Sequence, residues 1–338
     1  MSDDLEPLSV TEGIERFLQA RESELADSSL NNARTRLNYF QEWTVDREIE
    51  NLNTLTGRDL ADFVAWRRGQ IAPLTLQKQL STIRSALRYW AKIEGVSKGL
   101  AEKLHSPELP DGAEARDEHL TADEAEDILQ TLSQYHYASP RHVMLSLLWA
   151  TGMRRSALRS IDVDDLRPDE HAIVLKNRPE TGTKLKNRDA GKRWIYLGPQ
   201  RYNIVEDSLD HPDRDDVFDE YGREPLLTTV NGRPTGDTIY TRVNRATQPC
   251  EYGECPHDID PKDCDARGRD GYPSKCPSSV GPHAIRRGAI TDHLNKNVMP
   301  EVVSERCDVS LAVLYKHYDV RTDQEKMNVR KNSLGELL

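Results

Sequence analysis

No stretch of this 338-residue chain approaches the roughly twenty consecutive apolar residues of a membrane span. Met1-Ser2-Asp3-Asp4 opens no apolar leader, so a cytoplasmic protein without a membrane partner is expected. Cysteine is absent from the first 249 residues, and no internal repeat is visible. Lysine is sparse: the 46 basic residues are 14 Lys and 32 Arg, set against 57 acids for a net charge of −11. In ordinary salt that balance argues against a polyanionic partner. An acidic, lysine-poor surface, however, suits a salt-rich cytoplasm, where the screening length falls to about 3 Å or less. Net charge then ceases to repel DNA, local arginine contacts decide binding, and the acidity marks a halophilic habitat rather than the ligand.

What is present divides the chain in two, as its length allows. Helical stripes run through Ile14, Phe17 and Leu18, through Leu30, Ala33, Leu37 and Phe40, through Leu60, Phe63 and Val64, and through Leu76, Leu80, Ile83, Leu87 and Trp90. They predict a four-helix bundle over residues 1–107. Arg67 and Arg68 end the third helix; Lys78, Arg84 and Arg88 lie on the fourth. All five are candidates for contact with a phosphate backbone. Residues 108–118 gather Pro, Gly and acids and form the expected linker. A capping box at Thr121–Glu124 opens a second domain over 119–330, with a tail at 331–338.

In this second domain an apolar helix around Val143–Ala150 stops at Gly152, which puts Arg154 at a helix junction. Strand-like runs at 172–175 and 193–197 predict an antiparallel hairpin whose tip carries Lys184 and Lys186. His283 and Arg286, three apart, share a helix face, and Tyr318 lies about a helix pair further on. An arginine fork suits two phosphate oxygens at once. A phenol of ordinary pKa near 10 becomes nucleophilic when cations stabilise its phenolate.

Thr151-Gly152-Met153-Arg154-Arg155-Ser156, the hairpin lysine, His283-x-x-Arg286 and Tyr318 resemble, in that order, the catalytic motifs of the tyrosine recombinases, or phage-type integrases. The likeness extends over nearly the whole chain. The segment around Cys250 and Lys316-His317-Tyr318-Asp319 further resemble integrases of halophilic archaea and their mobile elements. The resemblance implies a mainly α fold with a small antiparallel β-sheet: an N-terminal four-helix core-binding (SAM-like) domain joined to a tyrosine-recombinase catalytic domain. It implies that Arg154 and Arg286 clamp the scissile phosphate, that His283 bonds it and assists proton transfer, and that Lys186 protonates the leaving 5′ oxygen. Tyr318 would form a 3′-phosphotyrosyl intermediate. Double-stranded DNA is then the partner and a tetramer the working state, with no nucleotide and no catalytic cofactor. Two other readings share these motifs: a non-catalytic DNA-binding protein of this fold, and a type IB-like topoisomerase acting without a defined site.

The chain departs from the family pattern in three places. Ala157 stands where an acid usually follows the first motif's serine, so the orientation of Arg154 must come from elsewhere. Cys307-Asp308 stand where His or Trp usually precedes the tyrosine, and Asp308 is a poor phosphate donor at neutral pH. Tyr315 rivals Tyr318 as nucleophile, and the Lys316-His317-Tyr318-Asp319 context favours Tyr318. Residues 249–280 form an insertion that collects Cys250, Cys255, Cys264 and Cys276, with His257 as an alternative ligand. Four thiolates can close a tetrahedral Zn²⁺, although no Cys-x-x-Cys is present. A zinc there would be structural, bracing the helix of His283. Cys307 stands apart and is expected to be buried.

Overall fold

A computed structural model describes residues 5–25, 27–108, 118–260, 262–268, 271–319 and 321–334. They fall into two units, one within Met1–Arg116 and one within Asp117–Leu338. Most of the expected linker, residues 109–117, lies outside the described residues, as does the end of the tail at 335–338.

The first unit is built from α1 (Val10–Arg21), α2 (Asp27–Asp46), α3 (Gly57–Arg67) and α4 (Pro73–Lys92). Polar caps start two of them: the Ser9 hydroxyl accepts from the Glu12 N–H, and Thr56 with Asp59 closes a capping box. Pro73 opens α4, where its missing N–H costs nothing. The four apolar stripes meet in an aromatic centre: Phe40 and Phe63 are 5.2 Å apart between ring centroids, and Trp43 and Phe63 5.5 Å. Trp90 donates its indole N–H to the Gly13 carbonyl at 2.7 Å. A Cβ at Gly13 would lie 2.3 Å from Leu52 Cδ1 and 3.1 Å from that indole nitrogen, so this crossing needs glycine.

The second unit contains α5 (Ala122–Tyr135), α6 (Pro140–Thr151), α7 (Arg155–Ser160), strands β1 (Leu166–Arg167), β2 (Ala172–Leu175) and β3 (Arg193–Tyr196), then α8 (Pro199–Asp207), α9 (Gly236–Ala246), α10 (Pro282–Asn295), α11 (Pro300–Cys307), α12 (Leu311–His317) and α13 (Asp323–Leu334). The fold is mainly α with one small antiparallel sheet among the described residues, in the order β1-β2-β3, with Ile173 opposite Ile195. The β1 strand escaped sequence reading because two residues carry no periodicity. Helix α6 is buried from His142 to Thr151, and its residues pack with those of α5, the sheet and α9 in one core. Helix α13 runs on through Leu334, across the tail boundary expected at residue 331.

The long β2–β3 connection is pinned by charge rather than left as a free hairpin tip. Arg178 pairs with Asp165 at 2.6 Å, and Arg233 with Asp219 at 2.8 Å; Arg223 and Arg233 both meet Asp162. Asp162 and Asp165 are buried and the Asp219 side chain is 5% exposed, and each is compensated by guanidinium donors, as burial of charge requires.

Candidate active site

The site forms at the C-terminal end of α6. A helix leaves its last carbonyls without intrahelical partners, and side chains of α10 and α11 fill that need here. Arg306 Nη2 donates to the Ala150 carbonyl at 2.9 Å, the Cys307 thiol to that of Thr151 at 3.4 Å, and Arg286 Nη1 to that of Gly152 at 2.6 Å. Gly152 turns the chain with φ +56°, and a Cβ there would meet Cys307 Sγ at 2.8 Å. Left-handed backbone and close approach together demand glycine.

Arg286 is 1% exposed and also donates to the Cys307 carbonyl at 2.5 Å. Its Nε and Nη2 are buried without a hydrogen-bond partner among the described residues. Spare buried donors on a cation are costly unless an anion takes them. Arg154 caps α7 in extended backbone and gives Nη1 to Asp308 Oδ2 at 2.6 Å. Burial, and then the Arg286 charge, hold the Arg154 guanidinium below its ordinary pKa, while Asp308 and Tyr318 work in the opposite direction.

Tyr318 ends α12, and its carbonyl accepts from the Thr291 hydroxyl of α10 at 2.9 Å. The ring is 7% exposed. It lies 5.0 Å from the Arg286 guanidinium carbon and 5.6 Å, edge to face, from the exposed His283 ring. Tyr315, one turn earlier, is 52% exposed. The structure thus brings Arg154, His283, Arg286 and Tyr318 together from α7, α10 and α12. Lys186 sits on the β2–β3 connection and is exposed; buried Leu185 anchors the connection beside it, and Asn187 donates to Asp308 Oδ1 at 2.8 Å. Lys184 is half-buried.

Comparison with known proteins bears on the family and the fold. Residues 14–94 match the family model for the phage integrase N-terminal SAM-like domain. Tyrosine recombinase XerD of Haemophilus influenzae is 24% identical over 321 residues, covering 94% of this chain and 92% of its own. The N-terminal domain of a phage integrase/site-specific recombinase from Haloarcula marismortui is 37% identical, covering 30% of this chain and 99% of its own, with a TM-score of 0.30. The Tn1549 transposon integrase, in complex with a circular intermediate DNA, has the same fold with a TM-score of 0.66 at 14% identity, covering 96% of this chain and 99% of its own. Residues 14–94 thus carry a phage integrase SAM-like domain, and over nearly its whole length the chain is similar to a tyrosine recombinase.

The expected phosphate contacts of the helical bundle need correction. Arg67 is 8% exposed: it donates to Gln79 at 3.1 Å and Gln70 at 2.9 Å and stacks 4.0 Å over the Tyr39 ring. It braces the bundle from inside. Arg84 holds the Leu104 carbonyl at 2.7 Å and the Ser106 hydroxyl at 2.9 Å, fastening the segment after α4. Arg88 faces Glu102 at 3.3 Å in an exposed pair of little energetic weight. Arg68 and Lys78 are exposed, as a backbone contact requires. Arg67 and Arg84 misled because a polar stripe on a helix does not reveal which neighbours will claim it.

Cys250, Cys255, Cys264 and Cys276 line one cavity of about 440 Å³ together with His257. Among the described residues no three such donors are arranged to hold a metal ion. Cys276 Sγ approaches His257 Nε2 at 3.9 Å, and burial raises the Cys250 thiol pKa. Cys307 is buried and serves α6.

Proposed function

We propose that this chain cuts and rejoins double-stranded DNA at a defined site, with Tyr318 as nucleophile. The observation that carries the assignment is the convergence of Arg154, His283, Arg286 and Tyr318 while Tyr315 points to solvent. Tyr318 Oη gives up its proton to solvent and attacks phosphorus, the bond from phosphorus to the 5′ oxygen breaks, and Lys186 supplies the departing oxygen with a proton. Arg154 and Arg286 offset charge on the equatorial oxygens, and His283 donates to the same phosphate. The phosphotyrosyl bond conserves the energy of the phosphodiester, so the 5′ hydroxyl of a second strand reverses the step without a nucleotide. Exchanging two duplexes breaks four strands, and one tyrosine per strand calls for four protomers on the DNA. Arg68 and Lys78 contact the phosphate backbone. The balance of 57 acids, 32 Arg and 14 Lys supports a salt-rich cytoplasm as the setting; no helix among the described residues is long and apolar enough to cross a membrane.

Structural zinc is the remaining part of the proposal. Five donors around one cavity in a segment with two short 3-10 turns and few buried apolar residues support it. A bound ion would draw thiolates together that now stand apart. About one zinc per chain by elemental analysis, lost with Cys264→Ser, is expected; a metal-free folded protein would contradict it.

The test is covalent trapping on nicked, labelled DNA drawn from the sequence flanking the gene, in high salt. Wild type should give an adduct that survives denaturant, and Tyr318→Phe none. Binding of that DNA without any adduct would indicate a non-catalytic protein, and relaxation of random supercoiled plasmid by the monomer a topoisomerase.

A further inference from the structure

Asp308 stands among the guanidinium groups at the end of α6. Its Oδ2 takes Arg154 Nη1 at 2.6 Å and its Oδ1 takes Asn187 Nδ2 at 2.8 Å, while Arg193 Nη1 stands 3.9 Å away. Its side chain is 14% exposed. It occupies a left-handed turn, φ 56° and ψ 59°, that ends α11, a conformation Asp and Asn tolerate better than most residues. Arg193 in turn is fixed by its bonds to the Arg306 carbonyl at 2.9 Å and the Gly191 carbonyl at 2.8 Å. A carboxylate so placed serves a different purpose from a phosphate donor. It neutralises a cluster of like charges, and its two oxygens tie together two parts of the chain that are far apart in sequence.

We propose that Asp308 is the positioning residue of the phosphate clamp, and that it registers the connection carrying Lys186 against Arg154 through Asn187. This rests on the strand-cleavage reading above. Ala157 has no group to orient Arg154, and Asp308 fills that role from the opposite end of the sequence. The bond takes one Nη1 donor of a guanidinium that carries five, which leaves donors for a phosphate. Asn187 follows Lys186 directly, so fixing the Asn187 amide limits where the ammonium can travel. A misplacement of about 1 Å at a proton donor or a clamp costs on the order of a hundredfold in rate.

Single-turnover cleavage of nicked DNA by the full chain tests this, with two substrates: ordinary DNA, and DNA with a bridging sulfur at the 5′ position of the scissile phosphate. A thiolate leaves without a proton, so the sulfur substrate relieves defects in proton donation but not in the phosphate clamp. Asp308→Ala should cleave ordinary DNA about a hundredfold more slowly at unchanged DNA affinity. Asp308→Asn suits the same left-handed turn and guards against misfolding; it should be slowed about tenfold with an unaltered melting curve, because it keeps an acceptor and loses the charge. Asn187→Ala should be slow on ordinary DNA and restored to near wild-type rate by sulfur. Wild-type cleavage by Asp308→Asn, or an Asn187→Ala defect that sulfur does not relieve, would overturn the proposal. Absence of any adduct from wild type would instead overturn the strand-cleavage reading beneath it.

Discussion

At the residue scale the proposed chemistry turns on Arg286 and Tyr318. Arg286 uses Nη1 on two backbone carbonyls and, among the described residues, keeps Nε and Nη2 unpartnered beside the Tyr318 ring. Lysine offers a point charge in place of that fork. Arg286→Lys should therefore lower the single-turnover cleavage rate by about 10²–10³-fold while DNA affinity changes little; a loss confined to affinity would contradict a role in the transition state. His142 gives a prediction of a different kind. Burial lowers its pKa from 6.5 to about 4, and its Nδ1 accepts the Ala138 N–H at 3.2 Å. Between those two values the unfolded chain binds the proton more readily than the folded one. This contribution to stability is complete above pH 6.5 and is lost as pH falls towards 4. Half-buried His293, also shifted downward by desolvation, adds in the same sense. Denaturant midpoints measured across that range should fall with acid, and fall less steeply in His142→Gln; identical slopes would contradict the assignment.

At the scale of elements, α6 organises the site because its C-terminal carbonyls are met by Arg286, Arg306 and Cys307. Gly152→Ala forces a left-handed alanine and places its Cβ against Cys307 Sγ. It should destabilise the second unit by about 1–3 kcal/mol and displace Arg154, visible as a lowered melting temperature together with slowed cleavage. A variant of wild-type stability and rate would contradict that account. Much at this scale is legible from sequence: the four stripes of the bundle, the Thr121 capping box and the Gly152 stop are local signals, each decided within one or two helical turns. The partner of Arg154 is not. Asp308 lies 154 residues away, and no local pattern marks a carboxylate in a short left-handed turn as the ligand of a particular arginine. Arg67 is hidden for the same reason: Tyr39 and Gln79 claim it from neighbouring helices.

At the scale of the whole molecule, the resemblance to tyrosine recombinases was readable because five residues in a fixed order over some 160 positions specify more than any one of them does. The net charge of −11 makes the chain self-repelling in dilute salt. Its unfolding midpoint should rise from 0.1 M to 2 M KCl, and DNA binding should persist at the upper concentration; a midpoint that falls with salt would contradict the halophilic reading. The central claim is tested most directly by finding which residue carries the nucleotide after cleavage of a nicked substrate. Trypsin separates the two candidates, since Tyr315 falls in the peptide Cys307–Lys316 and Tyr318 in His317–Arg321. Peptide mass mapping should find the nucleotide on His317–Arg321 alone. Nucleotide on Cys307–Lys316 would make Tyr315 the nucleophile and contradict the site described here.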